Sequence, residues 1–208
     1  MKMKVSNTQS ACNPKLANRC KGFSPVEVMM TIVLVVLGAA LAIPSYQEMM
    51  EKRQVTNSAE QLASFINTAQ KVAFETSEIV TISYARNGVK DWCIGAAIGE
   101  KVCDCTETNT SSDAFCKIAT QPFIISNNET GNLDLIHDIE GDGAYAFDPV
   151  RGLFLDLDDS LSLELRSESA DYRLNLLVNS TGRVRVCSED AAHAVPGYET
   201  CQSLVAAN

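Results

Sequence analysis

Three kinds of residue in this 208-residue chain have chemistry to offer: cysteines, a lone carboxylate in an apolar run, and a pair of arginines. Six of the eight cysteines lie beyond Asp91: Cys93, Cys103, Cys105 and Cys116 in WCIGAAIGEKVCDCTETNTSSDAFC, then Cys187 and Cys201. Thiolates hold zinc or oxidise to disulfides. Zinc sites favour C-x-x-C pairs with histidine nearby. No C-x-x-C occurs here, and His137 and His193 stand apart from the four-cysteine cluster. The residues therefore read as a disulfide framework in an oxidising compartment, with no metal. A hairpin centred near Gly99 would set Cys93 opposite Cys105 and leave Cys103 with Cys116, one of the three pairings that four cysteines allow. Cys187 and Cys201 would close a loop of about 14 residues, worth about 3 kcal/mol.

The carboxylate is Glu27, the only charged residue from Phe23 to Ile43. As a helix, a run of about 21 residues spans roughly 31 Å, the thickness of a bilayer core. A carboxylate placed there costs about 2.5–3.5 kcal/mol and calls for a cationic partner. Upstream stand Lys2, Lys4, Lys15, Arg19 and Lys21 with no acid, a positive-inside flank that keeps the N-terminus cytoplasmic. An ordinary secretory signal is the rival reading, because Ala40–Ala42 is a small-x-small cleavage site that would leave Ile43 first.

Arg183 and Arg185 alternate along a strand-like segment, so both fall on one face and can reach successive phosphates. They can equally pair with the acids beside them, Glu189 and Asp190, or protect an edge strand. Beyond residue 22 there remain 12 basic against 26 acidic residues, a net of −14. Such a surface repels polyanions. The expectation is a structural pair, with nucleic acid disfavoured as a partner. Asp138, Glu140 and Asp142 resemble part of a calcium loop, but the twelfth position from Asp138 is Pro149 rather than Glu, so an acidic turn is expected. No nucleophile with a base and no phosphate-cradling glycine loop is present. Neither enzymatic activity nor a cofactor or small-molecule substrate is expected.

These residues need elements to hold them. From Tyr46 to about Phe74 there is no Gly or Pro, and Val55, Ala59, Leu62, Ile66, Ala69 and Ala73 recur at helical spacing, with Phe65 and Val72 beside them. Lys52, Gln54, Glu60, Gln61, Asn67 and Lys71 take the other face. This is an amphipathic helix that continues the apolar one. Beyond it, EIVTISYAR, DWCIGAA, KVCDC, QPFIIS, GAYAFD, GLFLDLD, LSLELRS, YRLNLLVN and GRVRVC read as short strands, with a turn at Asn87-Gly88. One long helix followed by such strands predicts an α+β fold: a long N-terminal helix packed on an antiparallel sheet or sandwich head with disulfides.

The segment KGFSPVE resembles the class III leader of type IV pilins and pseudopilins. That resemblance implies cleavage by a prepilin peptidase between Gly22 and Phe23, N-methylation of Phe23, and a Glu27 that meets the N-terminal amine of a neighbouring subunit. Pro25 stands where the family usually has Leu, and proline is tolerated in a helix's first turn. Pro44, at the end of the apolar run, matches many pilin helices. The C-terminal stretch NSTGRVRVCSEDAAHAVPGYETC resembles the end of the H-type minor pseudopilin (GspH/FimT) family, some of whose members contact DNA through the Gly-Arg-x-Arg region. The implied organisation is a leader over 1–22, a transmembrane half-helix over 23–43, an amphipathic half over 44–76 and a periplasmic β head over 77–208. Cys12 and Cys20 fall in the leader. The implied protein is a minor pilin in the inner membrane, single-pass, which joins other minor pilins and the major pilin to prime or cap a pilus for twitching motility. An H-type pseudopilin of type II secretion and a DNA-binding pilin for natural transformation are the alternatives.

Overall fold

The computed structural model describes residues 23–88, 90–130, 133–137, 143–156, 158, 160–169, 171–190 and 192–201, with backbone alone at 41–45 and 136–137. The chain divides into two compact units, Met1–Pro44 and Ser45–Asn208. Helix α1 runs over Pro25–Thr76.

Within the first unit, Pro25 opens α1. Its missing N–H costs nothing there, because the first-turn donors have no partner within the helix. Ser24 C=O accepts from Val28 N–H at 3.2 Å. Glu27 sits in the first turn, where the helix dipole favours a negative charge. Val26, Met29, Met30, Ile32, Val33, Leu34, Val35, Val36 and Leu37 are exposed on every side of the helix. Among the described residues no helix is long and apolar enough to cross a membrane. The side chains of residues 41–43, which end the apolar run, lie outside the described residues.

In the second unit, the helical stripe is buried: Val55, Ala59, Leu62, Ile66, Ala69 and Ala73 are each 0% accessible, while Glu60, Gln61, Asn67 and Lys71 face water. Ser77 takes a left-handed conformation, φ 55°, just past the end of the helix. Strands follow: β1 (Val80–Arg86), β2 (Trp92–Ile98), β3 (Lys117–Ile118), β4 (Gln121–Pro122) and β5 (Ile124–Ser126), then the short helix α2 (Asn127–Thr130). After it come β6 (Asp134–His137), β7 (Gly143–Phe147), β8 (Leu161–Arg166), β9 (Arg173–Val178) and β10 (Val184–Ser188). Two antiparallel four-stranded sheets result, in the orders β5-β2-β1-β7 and β10-β9-β8-β6. One apolar core joins them to the helix. In the second sheet the period-2 pattern sets the register: Leu161, Leu163 and Leu165 stand opposite Val178, Leu176 and Leu174, all buried. Ser58 Oγ donates to Thr130 C=O at 2.7 Å, Gln70 Nε2 donates to Gly152 C=O at 2.6 Å, and the Phe65 and Phe123 rings stack at 4.5 Å.

Several expected strands are corrected. KVCDC forms no strand; it lies outside the ladder except for a bridge from Asp104 to Phe115. Among its described residues, GLFLDLD forms no strand and contributes the Phe147–Phe154 bridge, because Asp148 caps a tight turn through the N–H groups of Val150 and Arg151. QPFIIS breaks at Phe123 into β4 and β5. Strand β6 is an addition to the expected strands, and at four residues it is too short for its alternation to stand out in the sequence.

Candidate functional site

The first candidate group is the start of α1. Gly22 and the basic flank lie outside the described residues, as do Cys12 and Cys20. Phe23 is 76% exposed and Glu27 is also exposed. Ser24 and Glu27 stand at the spacing of an S-x-x-E helix start, a signal present in the sequence itself. Glu27 thus has a local role available to it, alongside that of an ion-pair partner.

The second group is the cystine cluster. The structure joins Cys93 to Cys105, Cys103 to Cys116 and Cys187 to Cys201. The first two bonds are not cross-strand links of a hairpin at Gly99, since both edges of β2 are taken by β1 and β5. Instead the segment through Cys103 and Cys105 folds over the outer face of the first sheet. Thr81 and Ser83, which point that way, are buried beneath it: Thr81 Oγ1 donates to Gly99 C=O at 2.6 Å, and Cys103 N–H donates to Ser83 Oγ at 3.0 Å. Asp104 shapes the turn between the two half-cystines, accepting from Thr106 Oγ1 at 2.6 Å and Thr106 N–H at 2.8 Å. These two bonds hold its carboxyl below the usual range. On β2, Gly95 lies under the Cys103–Cys116 bond. A Cβ there would stand 2.7 Å from Cys116 Cβ and closer still to its Sγ, so only glycine fits.

A cavity of about 600 Å³ opens beside this cluster, bordered by Arg86, Lys90, Asp104 and Asn127. Some of its polar groups are engaged: Lys90 faces Glu168 at 3.9 Å, Lys90 C=O accepts from Asn127 Nδ2, and Arg86 Nη1 reaches Leu135 C=O at 3.5 Å.

The third group is the C-terminal strand and loop. Gly182 has φ 72°, and a Cβ on it would press into Gln70 Nε2 and Gly152 C=O. The glycine of the Gly-Arg-x-Arg segment therefore serves close packing on α1. Arg183 is exposed and precedes β10; Arg185 lies within it, half-buried. The expected pairing with Glu189 and Asp190 does not occur. Glu189 accepts from Arg173 Nη1 at 2.9 Å, and Asp190 is occupied by the backbone N–H of His193 at 2.8 Å and its ring Nδ1 at 3.0 Å. Among the described residues no ion pair reaches Arg183 or Arg185. The bond from the His193 backbone, then that from its ring, holds the Asp190 carboxyl below the usual range. Glu189, Asp190 and His193 bring one ligand atom each within 4.8 Å of one another, a grouping invisible in the sequence because a turn makes it. Tyr198 OH donates to Glu60 Oε1 at 2.6 Å and ties this loop to α1. Burial, then that bond to a carboxylate, pushes the phenol up to about 12. Asp138, Glu140 and Asp142 lie outside the described residues.

No protein-family model matches the chain. Over 61 residues it is 33% identical to each of two proteins of Pseudomonas aeruginosa described as a fimbrial protein, a match covering 29% of this chain. The chain spans 40% of the length of these curated relatives. Among solved structures, two crystal forms of the type IV minor pilin FimU of Pseudomonas aeruginosa are similar at 16% identity. The first has a TM-score of 0.45 and covers 72% of this chain and 98% of that one; the second has 0.41, with 69% and 98%. What the chain is similar to is thus a fimbrial protein in sequence and a type IV minor pilin among solved structures.

Proposed function

We propose that this chain is a minor type IV pilin, a structural subunit that primes or caps a pilus. The observation that carries the reading is Glu27: the only charge between Phe23 and Ile43, placed four residues after Phe23. In this reading the leader is removed at Gly22, Phe23 is N-methylated, and the apolar half of α1 holds the chain in the inner membrane until assembly. Glu27 then meets the N-terminal amine of a neighbouring subunit. The exposed apolar side chains around the first half of α1 support it, since such a helix needs lipid or other apolar helices around it. The 61-residue likeness to fimbrial proteins agrees with it. An H-type pseudopilin of type II secretion would use the same residues in the same way.

Processing provides the test. The mature N-terminus is expected to be N-methyl-Phe23, and Gly22→Val is expected to leave a precursor longer by the 22 residues of the leader. Intact-mass and N-terminal analysis reads both. A mature chain that starts at Ile43 would replace this reading with an ordinary signal peptide.

DNA uptake is the second reading, favoured by the lack of acid partners for Arg183 and Arg185 among the described residues. The surrounding charge opposes it. We expect negligible mobility shift of duplex DNA at low micromolar protein in about 150 mM salt, because two or three phosphate contacts do not offset a strongly acidic surface. A shift abolished in the Arg183→Gln/Arg185→Gln double variant would reverse the ranking.

A further inference from the structure

Among the described residues, one edge of the second sheet has no backbone partner over two residues. Strand β10 pairs with β9 on one side only. In an antiparallel ladder, successive residues aim their N–H and C=O alternately toward and away from the partner strand. The turn sets the phase here: Asn179 N–H donates to Arg183 C=O at 3.3 Å. With Arg185 opposite Leu177 and Cys187 opposite Asn175, the bonded positions are Arg183, Arg185 and Cys187. Val184, Val186 and Ser188 therefore aim their backbone groups away from β9. Ser188 shows where they point: its N–H donates to Glu199 C=O at 2.8 Å, and it bridges Thr200 in parallel. Among the described residues, nothing takes up the outward N–H and C=O of Val184 and Val186.

Open backbone groups of this kind are a template for a further strand. The arginines decide which strand. A second copy of this chain could add antiparallel with Val184 opposite Val184, which sets Arg183 against Arg185. With Val184 opposite Val186, Arg185 meets Arg185. Both registers oppose like charges and are destabilised. The next register needs the outward side of Ser188, which Glu199 already fills. Self-pairing in these two antiparallel registers is thus disfavoured, while an incoming strand with carboxylates at alternate positions would neutralise two cations that have no acid partner among the described residues.

We infer that the Val184–Val186 edge is a strand-addition site for an extended, acidic segment of a second protein. Backbone bonds to Val184 and Val186 give the affinity, and carboxylates opposite Arg183 and Arg185 select the partner. The inference rests on the sheet and its register and is independent of the pilin reading.

The test uses the full chain in detergent micelles and a seven-residue peptide of alternating Val and Glu, with Lys replacing Glu in the control. Amide exchange at Val184 and Val186 is expected to slow at least about tenfold with the Glu peptide at about 1 mM, and to be unchanged with the Lys peptide. Val186→Pro removes an outward donor without touching the β9 ladder and is expected to abolish the protection at Val184. Arg185→Glu is expected to transfer the preference to the Lys peptide, and it decides the matter if the proline variant misfolds. Absence of protection with either peptide, or equal protection with both, overturns the proposal. So does protection of the two amides by duplex DNA but not by the Glu peptide.

Discussion

Glu27→Val is expected to insert and be processed normally, yet to fail to enter the filament or its initiation complex. Removing the charge favours insertion by about 2.5–3.5 kcal/mol. The same change takes away the carboxylate proposed to meet a subunit amine in an apolar setting, where an unpaired ammonium is costly. Crosslinking to partner pilins, wild type against variant, measures the loss. The position of Glu27 in the first turn of α1 adds a control. A glutamine preserves the S-x-x-E/Q helix start but carries no charge. If Glu27 serves only to begin the helix, Glu27→Gln should assemble like wild type, and the valine variant should lose only about 0.5–1 kcal/mol of helix stability. We expect Gln to fail as Val does; assembly of either at wild-type level would remove the ion-pair role.

The second large effect is expected from Gly95→Val. The site has no room: a Cβ on Gly95 runs into Cys116, whose sulfur is bonded to Cys103, and the strand beneath is held between β1 and β5. Overpacking a core costs about 1–3 kcal/mol, and loss of a native disulfide about 2–5 kcal/mol. Neither the strand nor the bonded loop can yield freely, so we expect a loss of at least about 3 kcal/mol, or roughly 6–12 °C in Tm. A double-mutant cycle assigns the cause. In a Cys103→Ser/Cys116→Ser background the loop can lift, and Gly95→Val should add much less. An undiminished penalty in that background would show that the contact with the disulfide is not what demands glycine.

Where sequence reading succeeded and where it stopped follows from the range of the interactions involved. Helical spacing is local, so the buried stripe from Val55 to Ala73 was legible. So was the alternation of β8 and β9, because a half-buried strand writes its own period. β1 and β2 are buried on both faces over most of their length, and the hydroxyls of Thr81 and Ser83 are covered only because a distant loop folds back over them. KVCDC and GLFLDLD have strand-like composition, but side-chain caps at Asp104 and Asp148 turn the backbone before a ladder forms. The Arg183–Arg185 spacing was plain, yet their isolation from Glu189 and Asp190 depended on Arg173 and His193 claiming those acids first.

By itself, the sequence determined that one long helix, apolar then amphipathic, precedes a cysteine-bearing set of strands, because period and composition are properties of neighbouring residues. Only the tertiary structure decided among the three pairings of Cys93, Cys103, Cys105 and Cys116, why Gly95 and Gly182 have no side chain, and which edge of β10 lacks a partner among the described residues. Each of those depends on what lies across a gap from a segment far away in the chain, and no local pattern encodes that distance.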